Sequence, residues 1–148
     1  MITYYELINY IEKMKTAPRD DKNITFLTNN KTHMPGNVLY RFIDHIIDLI
    51  RTRLNKALDD FILKIKTSGK DENIFSLEVL EIKKEIKYVI AISKCINIPE
   101  ENKNKLKQTI TNFANEVEEI LQTNAKKLDT TGKYLNIIKN HKINDLED

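Results

Sequence analysis

A stripe of apolar residues repeats at steps of three and four over residues 38–66, and this stripe restricts the fold more than any other feature. Steps of three and four place side chains on one side of an α-helix. The stripe therefore predicts one amphipathic helix, which at ~1.5 Å per residue would be on the order of 43 Å long. The residues of the stripe are Leu39, Phe42, Ile43, Ile46, Ile50, Leu54, Ala57, Leu58, Phe61 and Ile65.

The same periodicity recurs elsewhere in the chain and predicts further helices at about 3–15, 77–97, 99–128 and 131–142. Whether the last two segments form separate helices or one helix bent at Gly132 stays open at this point. With 148 residues the chain fits a single core. We therefore predict an all-α fold, an antiparallel bundle of four to five helices that forms one domain over residues 1–148.

An early segment, TAPRDDKNITFLTNNKTHMPGN at residues 16–37, interrupts the helical pattern. Pro18 disfavours helical geometry at the residue before it, and Asn37 suits the N-cap of the long helix. We therefore predict a long irregular loop over 16–37, although most connections in compact domains have about 4 to 6 residues. An extended loop of this length can cross the whole length of the long helix. The first predicted helix therefore need not lie next to the start of the long helix.

Charge and cysteine content restrict the compartment and the partners. The formal net charge is +2 and no segment is strongly basic or acidic, so nucleic acid is not an expected partner. Cys95 is the sole cysteine, which excludes an intramolecular disulfide and favours a reducing compartment. No stretch approaches the ~18 apolar residues of a membrane span. We expect a cytoplasmic protein without a membrane partner.

The amino-acid composition indicates the type of organism from which the chain comes. Asn, Ile and Lys are abundant, and Lys greatly exceeds Arg. All three abundant residues favour A/T-rich codons. A low-GC bacterium, a phage or a mobile element is therefore the expected origin.

The polar side of the long helix contains the densest cluster of chemically capable side chains, Arg41, Asp44, His45 and Asp48. Residues three and four apart on a helix are neighbours, so the two carboxylates and the imidazole could meet one divalent cation. The favoured alternative is a solvated face with local pairs, Arg41 with Asp44 and Asp48 with Arg51. One helix supplies too few ligands, and the chain contains no Glu-x-x-His motif, so we expect neither a metal nor a cofactor.

The stretch from Arg41 to His45 also resembles the Arg-to-His signature of the HEPN helical ribonucleases. The gap between Arg41 and His45 is shorter here than is usual in that family, and it begins with Phe42, where the family has a polar residue. The resemblance covers only this stretch. It implies a nucleic-acid hydrolase in which Arg41 and His45 act on a phosphate.

Motifs of other enzyme classes are absent from the sequence. It contains no G-x-S-x-G, no glycine-rich phosphate loop and no C-x-x-C. Its three glycines all lie at predicted helix ends or in predicted connections. Cys95 lies among apolar residues, which raise the pKa of a thiol and so disfavour a nucleophilic role. We therefore expect a protein that is not an enzyme.

Exposed aromatic and apolar side chains indicate protein contacts instead. Tyr5 lies off the apolar stripe of the first predicted helix, and the loop contains Phe26, Leu27 and His33. These four are the candidate partner-binding residues, because aromatic side chains bury much area at low entropic cost. The alternative is that the loop folds back and that Phe26 and Leu27 pack against the bundle.

These observations favour a non-catalytic helical protein that binds another protein, such as an immunity factor, an antitoxin-type factor or a phage or mobile-element accessory factor. One alternative is a HEPN-like or metal-dependent nucleic-acid hydrolase that uses the polar cluster of the long helix. A second alternative is a homo-oligomeric structural protein, for example a homodimer, that associates through the narrow apolar stripe of residues 99–128.

Overall fold

The computed structural model describes residues 2–32, 34–68, 70–129 and 131–145. Throughout these ranges the regular secondary structure is helical, so the all-α prediction is confirmed, but the helices number six rather than four to five. None of the described helices combines the length and the apolar character that a membrane span requires. The helices are α1 (Tyr4–Met14), α2 (Asp21–Asn29), α3 (Gly36–Ser68), α4 (Glu72–Cys95), α5 (Glu100–Leu128) and α6 (Lys133–His141).

The predicted irregular loop at 16–37 is wrong in its middle, where α2 forms. Asp20 caps this helix by accepting a hydrogen bond from the backbone N–H of Lys22, and Leu27 is its buried residue. A helix of nine residues is too short to be stable alone or to show a clear apolar period. Its formation therefore depends on packing against the rest of the chain.

The boundaries of the later helices also differ from the prediction. α4 begins at Glu72 rather than near residue 77. The side chain of Asp71, and not that of Ser76, accepts hydrogen bonds from the backbone N–H groups of Asn73 and Ile74. After α5 the chain leaves helical geometry, and Gly132 precedes α6 with a positive φ of 86°, so α5 and α6 are separate helices.

Contacts along the chain divide it into two compact units. The first unit comprises residues 1–53 and 88–110, and the second comprises residues 54–87 and 111–148. The expectation of a single domain with one antiparallel bundle stays a prediction.

In the first unit, α1 runs in the same direction as the beginning of α3. Thr32, just before α3, donates a hydrogen bond to the carbonyl oxygen of Ile2, just before α1 (3.3 Å). Further along both helices, Lys15 forms an ion pair with Asp48. This pair of helices therefore departs from the antiparallel arrangement that we predicted. The segment with α2 returns the chain from the end of α1 to its start, which explains its length.

A buried arginine closes the C-terminal end of α1. Arg53 is 7% exposed, and its Nη1 donates hydrogen bonds to the carbonyl oxygens of Met14 and Ala17, the latter at 2.7 Å. The last carbonyl groups of a helix have no partner within the helix. The bond to Met14, the last residue of α1, therefore satisfies an acceptor that would otherwise be left unpaired. The guanidinium also lies 4.8 Å from the centre of the Tyr88 ring, an attractive cation–π geometry.

Tyr88 continues this network to α2. Its hydroxyl oxygen accepts a hydrogen bond from Asn23 Nδ2 (2.9 Å), and Asn23 Oδ1 accepts one from the hydroxyl of Tyr10 (2.6 Å). The Tyr10 ring stacks on Phe26 with the centroids 3.7 Å apart and the planes 11° apart. α2 is therefore fixed against α1 and α4 by paired polar groups as well as by its buried leucine.

The second unit has an aromatic centre. Phe75 makes edge-to-face contacts with Phe61 (5.5 Å between centroids) and with Tyr134 (4.9 Å). At the surface, Lys133 forms an ion pair with Glu72. These contacts join the start of α6 to the start of α4.

Replacement of Arg53 by Met is expected to lower the free energy of unfolding by about 2–4 kcal/mol, because the buried bond to Met14 and the part-buried bond to Ala17 lose their charged donor. Lys56→Met on the same helix is the matched control. It removes only an exposed pair with Asp60, so we expect a change below about 0.5 kcal/mol. Urea unfolding followed by circular dichroism measures both values, and equal losses in the two variants would contradict the assigned role of Arg53.

Candidate functional site

The polar cluster predicted on the long helix does not converge on one point. Arg41 and Asp44 are exposed, and no ion pair joins them in the described part of the chain. His45 and Asp48 instead contact α1. The cluster therefore contributes to two different parts of the surface, and its use by a hydrolase stays a prediction.

The contacts with α1 form a small charged network. Lys15 Nζ lies 2.9 Å from Glu12 Oε2 and also pairs with Asp48, while Glu12 Oε1 lies 3.3 Å from His45 Nδ1. The hydrogen bond from Lys15 lowers the pKa of both Glu12 and Asp48, and the nearby charge of Arg51 lowers that of Asp48 further. Both carboxylates are largely exposed, so water screens these pairs and each stabilises the fold only slightly.

A metal centre finds no support in this network. Among the residues that the structure describes, no group of three or more His, Cys, Asp and Glu side chains could hold a metal ion. The ammonium of Lys15 lies between the two carboxylates of the network. The arrangement is that of ion pairs between neighbouring helices.

The four predicted partner-binding residues differ in their exposure. Tyr5 is 80% exposed, whereas Leu27 is only 2% exposed. Phe26 is half-buried and stacked on Tyr10. His33 lies outside the described residues. Leu27 therefore follows the alternative in which the segment folds back and packs against other helices. The Leu27 side chain is not available to a partner.

A second exposed aromatic side chain, Tyr40, was not among the predicted residues. It is 69% exposed at the start of α3, and the exposed Arg41 follows it. The signal was present in the sequence, because Tyr40 lies off the apolar stripe just as Tyr5 does. Tyr5, Tyr40 and Arg41 are called the tyrosine surface below.

Tyr4 lies next to Tyr5 at the start of α1. Its ring contacts the Tyr5 ring edge to face, with the centroids 6.2 Å apart. Burial raises the pKa of Tyr4, and the positive charge of Arg41 acts in the opposite direction. The Tyr4 hydroxyl oxygen is buried and has no hydrogen-bond partner in the ranges described.

A narrow cleft in the first unit lies near these residues. Leu7, Phe42 and Ile96 line it together with polar groups such as Thr32 and Asn97. Its empty volume is about 200 Å³, part of which is open to solvent. Pockets for drug-sized ligands usually occupy about 300–1,000 Å³, so this cleft is too small to hold such a molecule.

A hydrogen-bonded serine and histidine in the second unit were not predicted. Ser76 Oγ lies 2.9 Å from Nε2 of His141, which closes the end of α6 onto α4. Burial lowers the pKa of His141, and the charge of Lys83 lowers it further, so the neutral imidazole is favoured. Nucleophilic catalysis would also need an orienting group and oxyanion donors, and the contacts described for this pair supply neither.

Comparison of the chain with protein-family models, with curated proteins and with solved structures gave no match. Any proposal for its function therefore depends on its own residues.

Replacement of His141 by Gln is expected to reduce the loss of stability in acid. The folded-state pKa of His141 lies below the ordinary value of about 6.5. Its neutral form therefore stabilises the fold fully above about pH 6.5, and this contribution is lost as the pH falls through the lowered folded-state pKa.

Urea unfolding at about pH 7.5 and about pH 5 tests this prediction. The wild type should lose more unfolding free energy between the two pH values than His141→Gln does. The variant His45→Gln controls for a general effect of removing a histidine, since His45 lies in the other unit. An unchanged pH dependence in His141→Gln would refute the prediction.

Proposed function

We propose that this protein acts by binding another protein through the tyrosine surface. The main support is the exposure of Tyr5 (80%) near the start of α1 and of Tyr40 (69%) near the start of α3, two large aromatic side chains that lie in water. Tyrosine and arginine are over-represented among the residues that dominate protein–protein affinity. Single exposed apolar residues are common, but two exposed tyrosines, one of them followed by an exposed arginine, are residue types that are enriched in binding surfaces.

The proposal extends to the biological class of the protein. An immunity factor, an antitoxin-type factor or a phage or mobile-element accessory factor fits a small helical chain whose composition favours A/T-rich codons. We place the protein in the cytoplasm because its single cysteine suits a reducing compartment.

The hydrolase alternative is the weaker proposal. A catalytic His45 would have to serve a substrate phosphate, but its Nδ1 contacts Glu12. Asp48 is likewise paired with Lys15. Catalysis by this cluster would first require those contacts with α1 to break.

The double variant Tyr5→Ala/Tyr40→Ala is expected to lose the partner while it stays folded. Each tyrosine is exposed, so its removal should change the free energy of unfolding by less than about 0.5 kcal/mol. In a binding surface each tyrosine of this kind contributes about 2 kcal/mol or more, which is roughly a 30-fold change in Kd. Leu63→Ala/Leu77→Ala is the matched control, since these side chains are 62% and 60% exposed in the second unit.

Affinity capture from the native cell with quantitative mass spectrometry compares the three proteins. A specific protein should be recovered with the wild type and with the leucine control, and lost with the tyrosine variant. Calorimetry with that purified partner then measures the change in Kd. Equal recovery with both double variants, or no specific protein with the wild type, would count against the proposal.

Self-association is a second candidate, because the second unit also exposes apolar side chains. Leu63 on α3 and Leu77 on α4 are each about 60% exposed, and Ile120 on α5 is 38% exposed. If a second copy covers them, the double variant Leu63→Ser/Leu77→Ser should be monomeric at concentrations where the wild type is a dimer. Light scattering at high micromolar concentration measures this, and a monomeric wild type would rule the candidate out.

A further inference from the structure

α6 lies along one side of the first turns of α4. At its start, Lys133 forms an ion pair with Glu72. At its end, Nε2 of His141 lies 2.9 Å from the hydroxyl oxygen of Ser76. Glu72 and Ser76 are four positions apart and therefore lie on the same side of α4. α6 thus follows this side in the direction of α4, and its last turn points toward the later turns of that helix.

α6 has little stability of its own. Its nine residues are too few for a helix that persists alone in water. Gly132 at its N-cap has no side chain to offer, and Lys142 at its C-cap has a left-handed φ of 50°, which glycine favours. The ion pair at its start is exposed on both partners and contributes little. α6 therefore stays in place through the buried Tyr134 and Ile138 and the hydrogen bond of His141.

The end of α6 is unsuited to a further positive charge. Burial lowers the pKa of His141, and the charge of Lys83 lowers it further. Lys83 lies seven positions after Ser76, which places both on the side of α4 that α6 follows. Lys139 and Lys142 add two more cations at this end of α6. A protonated His141 would therefore be half-buried among like charges.

The acidic side chains near α6 do not compensate for this charge. Glu72 is already paired with the start of α6. Asp145 is exposed, so water screens its charge. The contact of this end with α5 joins the uncharged side chains of Asn144 and Asn115 (3.5 Å). In the part of the chain that the structure describes, His141 forms no ion pair.

We propose that α6 is a pH-sensitive cover on the start of α4, and that protonation of His141 beside Lys83 releases it. A protonated imidazole can still donate to Ser76, so the cost lies in holding its charge half-buried near another cation. The released helix exposes the ring to water, which removes this cost. The neutral imidazole therefore favours the docked helix above about pH 6.5, and this preference is lost as the pH falls through the lowered pKa of the docked form. The cover lies in the second unit and does not require the tyrosine surface of the first.

Release of α6 uncovers an aromatic side chain. Phe75 is 1% exposed, and the ring of Tyr134 contacts it edge to face, with the centroids 4.9 Å apart. When α6 leaves, this side of Phe75 faces water. Phe61 on α3 still contacts the ring (5.5 Å), so the opening can stay local. Any contact that this surface makes with another molecule then depends on pH.

Hydrogen exchange of the full-length chain, followed by mass spectrometry at about pH 7.5 and about pH 5.5, tests the proposal. Protection factors correct for the effect of pH on intrinsic exchange, so they report the opening itself. Residues 133–143 should be less protected than residues 54–65 of α3 at both pH values, because α6 opens without the rest of the unit. The protection of residues 133–143 should fall by about 3- to 10-fold in acid. Linkage sets the upper limit, since pH 5.5 is about one unit below the ordinary pKa of histidine.

Three variants identify the titrating group. His141→Gln should abolish the pH response of residues 133–143. Lys83→Gln should reduce this response, because one of the like charges is gone. Lys84→Gln is the matched control and should respond as the wild type does, since Lys84 is exposed at the next position and its pair with Glu81 is also exposed.

Equal protection of residues 133–143 and 54–65 would show that α6 opens only with the whole unit, and would overturn the proposal. A pH response that persists in His141→Gln would do the same, as would equal responses in Lys83→Gln and Lys84→Gln. If His141→Gln does not fold, the two lysine variants still decide the outcome.

Discussion

The first unit depends on one buried cation. Arg53 donates hydrogen bonds to the carbonyl oxygens of Met14, the last residue of α1, and of Ala17 just beyond it, and its guanidinium lies over the ring of Tyr88. A buried charge is costly unless it is paired, so the carbonyl oxygens and the aromatic ring must be in place for Arg53 to remain inside. This requirement fixes where α1 ends relative to α3 and α4. At the other end of α1, the bond between Thr32 and Ile2 holds the start of α1 to the segment before α3.

The sequence predicted the long elements well and the short ones poorly. The apolar residues of α3 and α5 keep helical spacing over many turns. A pattern that long seldom arises by chance, so it identifies a helix. α2 has nine residues, and its position is set by Asn23 and Leu27, whose partners lie far away in the chain. α4 was predicted to begin too late, because Ser76 and Asp71 are equally good caps in sequence and only the buried Phe75 distinguishes them.

The candidate surface was predictable in part. Tyr5 lies off an apolar stripe, and a residue of that kind is exposed in any packing of the helix. The same reasoning applied to α3 would have found Tyr40. The pairing of Lys15 with Asp48 could not be inferred, because it joins residues 33 positions apart and depends on the parallel arrangement of α1 and α3.

The division of the first unit between two distant stretches of chain affects its order of formation. Residues 1–53 pack with residues 88–110, and the bond between Asn23 and Tyr88 spans 65 positions. During synthesis on a ribosome, α1 and α2 therefore emerge long before the residues that complete their core. Contacts this distant slow folding, and chains that wait with exposed apolar surface are prone to aggregate. α1 and α2 are thus among the last parts of the first unit to become stable, although they are made before residues 88–110.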